Sequence, residues 1–368
     1  MSDARPPSLS PRGVEYFDWR RDPAGWAAAL SISKEAVDLY LASDVIDLHV
    51  DSFIWTRILG YDLEKRHGTG LFGARFYSQV DFPRMLETGI TGATWVITTN
   101  PLRGSRGRAR AFFRNLSHLR RIFDAVPNDF EVVATEAAYR SARARGRHGA
   151  FLAIQGGNAL DHDLDDYRRI DGNVITRVTL VHLSSSRLGS TSSPLKVRDE
   201  GLTARGRDLV QVLDEQRIFV DLAHVSRKGF FDAVDAHDPQ RPLIVTHTGV
   251  SGVHPHWRNL DDSQLRAIAD TGGTIGVMYQ SSFLGDSPFG GRADRIADHL
   301  EHIVRVVGED HASLGSDWDG AIVTPRDLPT CLELPRLVQI LLQRGHSHER
   351  VRKILGGNFL RTLRALRG

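Results

Sequence analysis

Eight short apolar runs, separated by spacers of helical length, constrain this chain more than any other feature. They cover residues 45–51, 92–99, 150–155, 175–182, 217–224, 242–247, 274–279 and 312–317. Apolar positions at helical period fill the spacers 109–125, 203–216, 226–236, 262–271 and 296–307. Strand and helix alternating eight times predict an α/β protein built as a (β/α)8 TIM barrel. A short helix over 33–42 leads into the first strand. Two C-terminal helices, 332–344 and 347–366, follow the last, with Ser347 as N-cap of the second. The expected organisation is an irregular N-terminal extension over 1–32 and one barrel domain over 33–368.

In such a barrel, reactive side chains belong at the C-terminal ends of the strands. The first run ends Asp47-Leu48-His49-Val50-Asp51, and strict alternation puts Asp47, His49 and Asp51 on one face and Ile46, Leu48 and Val50 on the other. Taken alone, that reads more readily as a half-buried strand with a polar outer face. The later runs change the reading. The third ends in Gln155, the fourth in His182, the fifth in His224, the sixth in His247 and the eighth in Asp317. Random scatter of the chain's 16 histidines would put one or two at strand ends. Four histidines and two aspartates so placed point to a divalent metal site.

Composition narrows the partners. Lys+Arg 47 against Asp+Glu 45 leaves no basic stripe for nucleic acid and no cationic face for a membrane, so a small-molecule partner is expected. Cys331 is the only cysteine, which excludes an intramolecular disulfide. No apolar run reaches the ~20 residues of a membrane span. Residues 1–21 lack the apolar core of a signal peptide, and a cytoplasmic protein is the expectation. Tyr16, Phe17, Trp19 and Trp26 are aromatic anchors by which the extension wraps the domain or reaches a partner subunit.

The motifs carry a resemblance. Asp47-Leu48-His49-Val50-Asp51, Val80-Asp81-Phe82-Pro83-Arg84, Val220-Asp221-Leu222-Ala223-His224-Val225-Ser226, Gly315-Ser316-Asp317-Trp318-Asp319-Gly320 and Lys353-Ile354-Leu355-Gly356-Gly357-Asn358-Phe359 stand in the order found in the membrane dipeptidase (renal dipeptidase) family of the amidohydrolase superfamily. From residue 45 onward the chain resembles that family. The resemblance implies His49, Asp51 and Asp317 as ligands of one zinc and His224 and His247 as ligands of a second. It implies His182 facing the scissile carbonyl, and Arg258 in His254-Pro255-His256-Trp257-Arg258-Asn259 holding the substrate carboxylate. His256 and Trp257 lengthen the family's loop there, and Arg205 or Arg187 could share that task. The implied activity is hydrolysis of a dipeptide or dipeptide-like amide by metal-bound hydroxide, with Asp317 as proton carrier and a homodimer as the assembly. Zinc suits the donors best, with manganese, iron or cobalt as other occupants.

One position departs from the family. Gln155 stands where the resemblance implies a glutamate bridging both metals. An amide offers one neutral oxygen and an NH2 that repels a cation. No lysine other than Lys228 lies near a strand end to replace the bridge. Three readings follow: two weakly held metals with Gln155 as a terminal ligand; one metal and related chemistry on another amide, such as a modified amino-acid conjugate in biosynthesis; or a barrel that binds a ligand without hydrolysing it.

The loops 184–200 and 280–292 are expected to set side-chain specificity. Trp55 and Tyr279 read equally as pocket lining or core, the basic stretch 104–110 as a solvated loop and helix start, and most remaining histidines as surface residues.

Overall fold

The computed structural model describes residues 13–70, 72–100, 102–170, 174–194 and 199–368. Residues 1–12 of the extension and 195–198 of the loop 184–200 lie outside them. Among the described residues, nine parallel strands form one sheet: β1 (Ile46–Val50), β2 (Gly92–Thr98), β3 (Phe130–Val132), β4 (His148–Gln155), β5 (Ile175–Thr179), β6 (Phe219–Asp221), β7 (Ile244–Thr248), β8 (Thr274–Val277) and β9 (Ala312–Leu314). Eight of them follow in the order β1-β2-β4-β5-β6-β7-β8-β9. The ring closes just beyond β9, where Asp317 N–H donates to His49 O at 3.1 Å and Asp51 N–H to Trp318 O at 2.8 Å. All eight expected barrel strands are present. The ninth, β3, pairs only with the first three residues of β4 and adds nothing to the ring.

The helices form where the spacers predict them. Lys34–Leu41 is capped by Ser33, Ala204–Glu215 by Thr203, Arg227–Ala236 by Ser226 and His348–Arg352 by Ser347, each through a side-chain oxygen accepting from a first-turn N–H. The last expected helix is interrupted by a π-turn over Lys353–Gly357 before it resumes as Asn358–Arg367. That closing helix lies across the N-terminal end of the barrel. Phe359, Leu360 and Leu363 join Ile46, Leu48, Phe151, Phe219 and Ile244 in one buried cluster. Gly356 permits the approach, since a Cβ there would lie 2.6 Å from Asp44 O.

Two expectations are corrected. The extension is not irregular throughout, because Pro23–Leu30 is a helix with Asp22 as N-cap and Pro23 in its first turn. It wraps the barrel: Trp26 is 1% exposed and meets Tyr40 edge-on at 5.7 Å, while Val14 N–H donates to Asp129 Oδ2. Nor does β1 alternate strictly. Its register runs Asp47 to Ala93 and then Val50 to Trp95, three steps against two, which is a β-bulge. Ile46 and Leu48 pack with side chains of β4, β6 and β7, so they point into the barrel. Asp47 instead accepts from the backbone N–H of Ser316 and His49, and does not join the site's side chains.

Candidate metal centre

A polar belt lies on the apolar plug at the barrel's base. Asp221, the last residue of β6, is its hub: Oδ2 accepts from Thr179 Oγ1 at 2.6 Å, Thr246 Oγ1 at 2.8 Å and Arg177 Nη1 at 2.9 Å, and Oδ1 accepts from Ala223 N and Thr246 N. Arg177 is fully buried, and its Nη2 donates to His49 Nδ1 at 2.7 Å. Two further bulges serve this belt. On β5 the register skips Thr176, and on β7 it skips between Val245 and Thr248. With the bulge in β1, they aim Arg177, His247 and His49 at one point.

Above the belt the expected site residues converge. His49, His247 and Asp317 bring their ligand atoms within 4.8 Å of one another, all buried. His49 Nε2 is 3.4 Å from Asp51 Oδ2 and 3.7 Å from Asp317 Oδ1. His224 Nε2 lies 2.8 Å from His247 Nε2, and the His182 ring meets His224 edge-on at 4.7 Å. His224 and Asp317 hold left-handed backbone, φ 64° and 65°, which non-glycine residues adopt at a cost and which is common where a side chain must be aimed.

Burial governs the protonation of this cluster. It depresses the basicity of His49, with the Arg177 charge adding to it, and drives His224 and His247 well below the ordinary histidine value. It lowers His182 to about 4. All four imidazoles are neutral at pH 7, as metal ligands and hydrogen-bond donors to a carbonyl must be. Burial, then the Asp51 charge, raises the Asp317 carboxyl well above the carboxylate range. Burial pushes the Asp51 carboxyl up, but the hydrogen bond to His49 and surrounding positive charge that includes Arg177 outweigh it and leave it below the ordinary value.

The donor set fits a divalent cation. It offers imidazole nitrogens and carboxylates buried at a strand-end cluster, with His224 Nδ1 buried and without a partner among the described residues. Gln155 ends β4 within this cluster. With its amide oriented to suit its neighbours, the nitrogen donates to Thr98 Oγ1 at 2.9 Å and faces both oxygens of Asp51 at 3.0 Å, while its oxygen accepts from His182 Nε2 at 3.1 Å.

Residues 33–367 match the family described as membrane dipeptidase, peptidase family M19. The chain belongs to the membrane dipeptidase family. Among solved structures, it is similar to a metallopeptidase from Rhodobacter sphaeroides liganded with a phosphinate mimic of the dipeptide L-Ala-D-Ala: 25% identity, TM-score 0.77, covering 87% of this chain and 98% of that one. It is equally close in fold to the metallopeptidase dipeptidase AC, at 26% identity, TM-score 0.77 and the same coverage. An uncharacterised protein from the pqqA 5′ region of Klebsiella pneumoniae is 38% identical over 170 residues, 45% of this chain and 60% of the relative's length. The likeness to the dipeptidases agrees with an amidohydrolase-type barrel.

Beside the centre, Arg258 is 3% exposed; its Nη2 donates to His247 O at 2.7 Å, and it lines a cavity with His224, Trp257 and Ser192. Burial lowers its pKa to about 10, so it stays cationic at neutral pH. Of the other two arginines, Arg205 Nε donates to Asp161 O, and Arg187 is exposed. Lys228 is held by Asp232 and Glu200 O. Tyr279 is core, stacked edge-on with Trp318, and Trp55 Nε1 donates to Asp319 O. Arg108, in the basic stretch, pairs with Asp161 at 2.8 Å at the start of the helix Ser105–Ala125. His237 is not a surface residue, being buried against Asp214 at 2.8 Å.

Sequence reasoning gave no role to Arg177, Thr179, Asp221 or Thr246. Asp221 stood inside a quoted motif, but its partners come from β5 and β7, and only the register brings them together.

Proposed function

We propose that this protein is a metal-dependent hydrolase of dipeptides or dipeptide-like amides. The observation that carries the reading is the convergence of His49, His247 and Asp317 at the strand ends, within a chain of the membrane dipeptidase family. A divalent metal, with zinc the first choice for these donors, polarises the scissile carbonyl and makes water acidic enough to attack near neutral pH.

The chain's own residues do the rest. Arg258 presents a buried cation beside the centre, suited to the carboxylate of the substrate's C-terminal residue. His182 is half-buried and neutral, and its Nε2–H now donates to Gln155 Oε1. Turned to the developing oxyanion, that N–H supplies a contact of about 3 kcal/mol. Asp317 is poised to hold a proton on its carboxylate and return it to the leaving amine, because burial and Asp51 have raised its proton affinity.

The test is release of free amino acids from a panel of dipeptides by the metal-loaded protein. Asp317→Asn is expected to reduce turnover at least about a thousandfold. Unchanged activity in that variant removes Asp317 from the mechanism, and no release from any dipeptide removes the substrate class.

A further inference from the structure

Three arginines beside the C-terminal mouth of the barrel carry charge that the chemistry above does not use. Arg57 lies one turn beyond Phe53 in the helix Phe53–Leu59, which starts two residues after Asp51. Its Cζ is 5.4 Å from the centre of the Phe53 ring, and that ring meets His118 edge-on at 5.5 Å. His118 belongs to the helix Ser105–Ala125, so the two helices face each other at this point. Arg114 is one turn before His118 and shares its face. Arg103 precedes the same helix, in the loop after β2.

No carboxylate neutralises the cluster from within. Packing on Phe53 holds the Arg57 guanidinium, whose Nε is buried with no hydrogen-bond partner among the described residues. Arg103 and Arg114 are exposed, and neither guanidinium makes a hydrogen bond or ion pair among the described residues. Other arginines of this stretch are satisfied: Arg106 Nε donates to His162 Nε2 at 3.1 Å, and Arg108 Nη2 to Asp161 Oδ1 at 2.8 Å. Burial lowers the Arg57 pKa, the Asp51 carboxylate opposes that shift, and the charges of Arg103 and Arg114 add to it. The three guanidiniums therefore repel one another, while Arg57 is near enough to the centre to feel Asp51. An anion lodged among them relieves the repulsion and gives the Arg57 Nε–H an acceptor.

Position says which anion. The ring runs β1-β2-β4-β5-β6-β7-β8-β9 and closes from β9 to β1, so three strands separate β2 from β7 on either side. Arg258 follows β7, whereas Arg57 and Arg103 follow β1 and β2. The cluster thus stands across the mouth from Arg258. A substrate with its C-terminal carboxylate at Arg258 and its amide at the centre extends its acyl residue toward Arg57.

We propose that Arg57, Arg103 and Arg114 form a subsite for a carboxylate on the acyl residue, and that the substrate class is a dipeptide or dipeptide-like amide with an acidic acyl side, such as an N-terminal glutamate. The orientation of the substrate rests on the hydrolase reading above; the charge of the cluster does not.

The experiment measures by calorimetry the binding, to the protein as purified, of the reduced-amide analogues of Glu-Ala and Gln-Ala. These cannot be hydrolysed and differ by one charge. Release of amino acids from the two dipeptides themselves is followed in parallel. The parent is expected to bind the Glu analogue at least about tenfold more tightly, and salt is expected to weaken that preference, because Arg103 and Arg114 are exposed. Arg103→Gln combined with Arg114→Gln is expected to abolish the preference, at exposed positions where the fold does not depend on the side chains. Arg120→Gln removes one exposed charge from the opposite side of the same helix and is expected to keep it. Equal binding of the two analogues by the parent, binding of neither, a preference that survives the double variant, or its loss in Arg120→Gln overturns the proposal. A preference with no dipeptide hydrolysed keeps the anion subsite and removes the hydrolase reading; hydrolysis without a preference does the opposite.

Discussion

Arg258 and His148 show how differently two buried ionisable side chains serve this fold. Arg258 keeps its charge beside the centre, and replacing it with alanine is expected to raise KM for a dipeptide about a hundredfold, equivalent to ~3 kcal/mol. The same dipeptide with an amidated C-terminus should not distinguish the variant from the parent, because the carboxylate is absent. His148, remote from the centre, stays neutral: its Nδ1 lies 2.9 Å from Ile90 O, and burial lowers its pKa to about 4 from 6.5. As pH falls, the unfolded chain takes up this proton first. Stability that is intact above pH 6.5 is therefore lost between pH 6.5 and 4, by up to on the order of 3 kcal/mol. Thermal melts of His148→Gln across that range should show a shallower acid slope than the parent. At this scale the candidate ligands were legible, because histidine and aspartate rarely end so many apolar runs. Arg177 was not, since a charged residue in a strand reads the same whether it points to solvent or to the barrel axis.

Among the elements, strands buried on both faces announced themselves as continuous apolar runs, and helices by their period and caps. The bulges of β1, β5 and β7 left no such mark, because an extra residue in a strand is visible only against its neighbour's register. They decide which side chains face the centre, and so the alternation read through Asp47 failed at the one strand where it mattered most. β3 was missed because Phe130-Glu131-Val132 is interrupted by a charged residue and makes no apolar run of its own. The helix Pro23–Leu30 was readable from Asp22 and Pro23, but its alanine-rich stretch has no polar face opposite an apolar one to set a period. Its hold on the barrel is Trp26. Trp26→Ala should cost about 3–5 kcal/mol, seen as a lower denaturant midpoint. A midpoint unchanged within error would mean that the helix docks without contributing to stability.

For the molecule as a whole, the barrel was legible because the order of strands along the chain is the order around the ring. Metal should stabilise that ring: at a free concentration a hundredfold above Kd, bound metal adds about 2.7 kcal/mol, so chelation should lower Tm and zinc should restore it. A Tm indifferent to both would mean that no ion binds preferentially to the folded state. The ring meets itself where His49 O accepts from Asp317 N–H and Asp51 N–H reaches Trp318 O. Residues at either end of the barrel sequence become neighbours across this seam. During synthesis, a ribosome will have made nearly the whole barrel before Asp317 emerges to join His247. The candidate centre is thus completed late, and a chain cut short before β9 lacks one of its converging side chains.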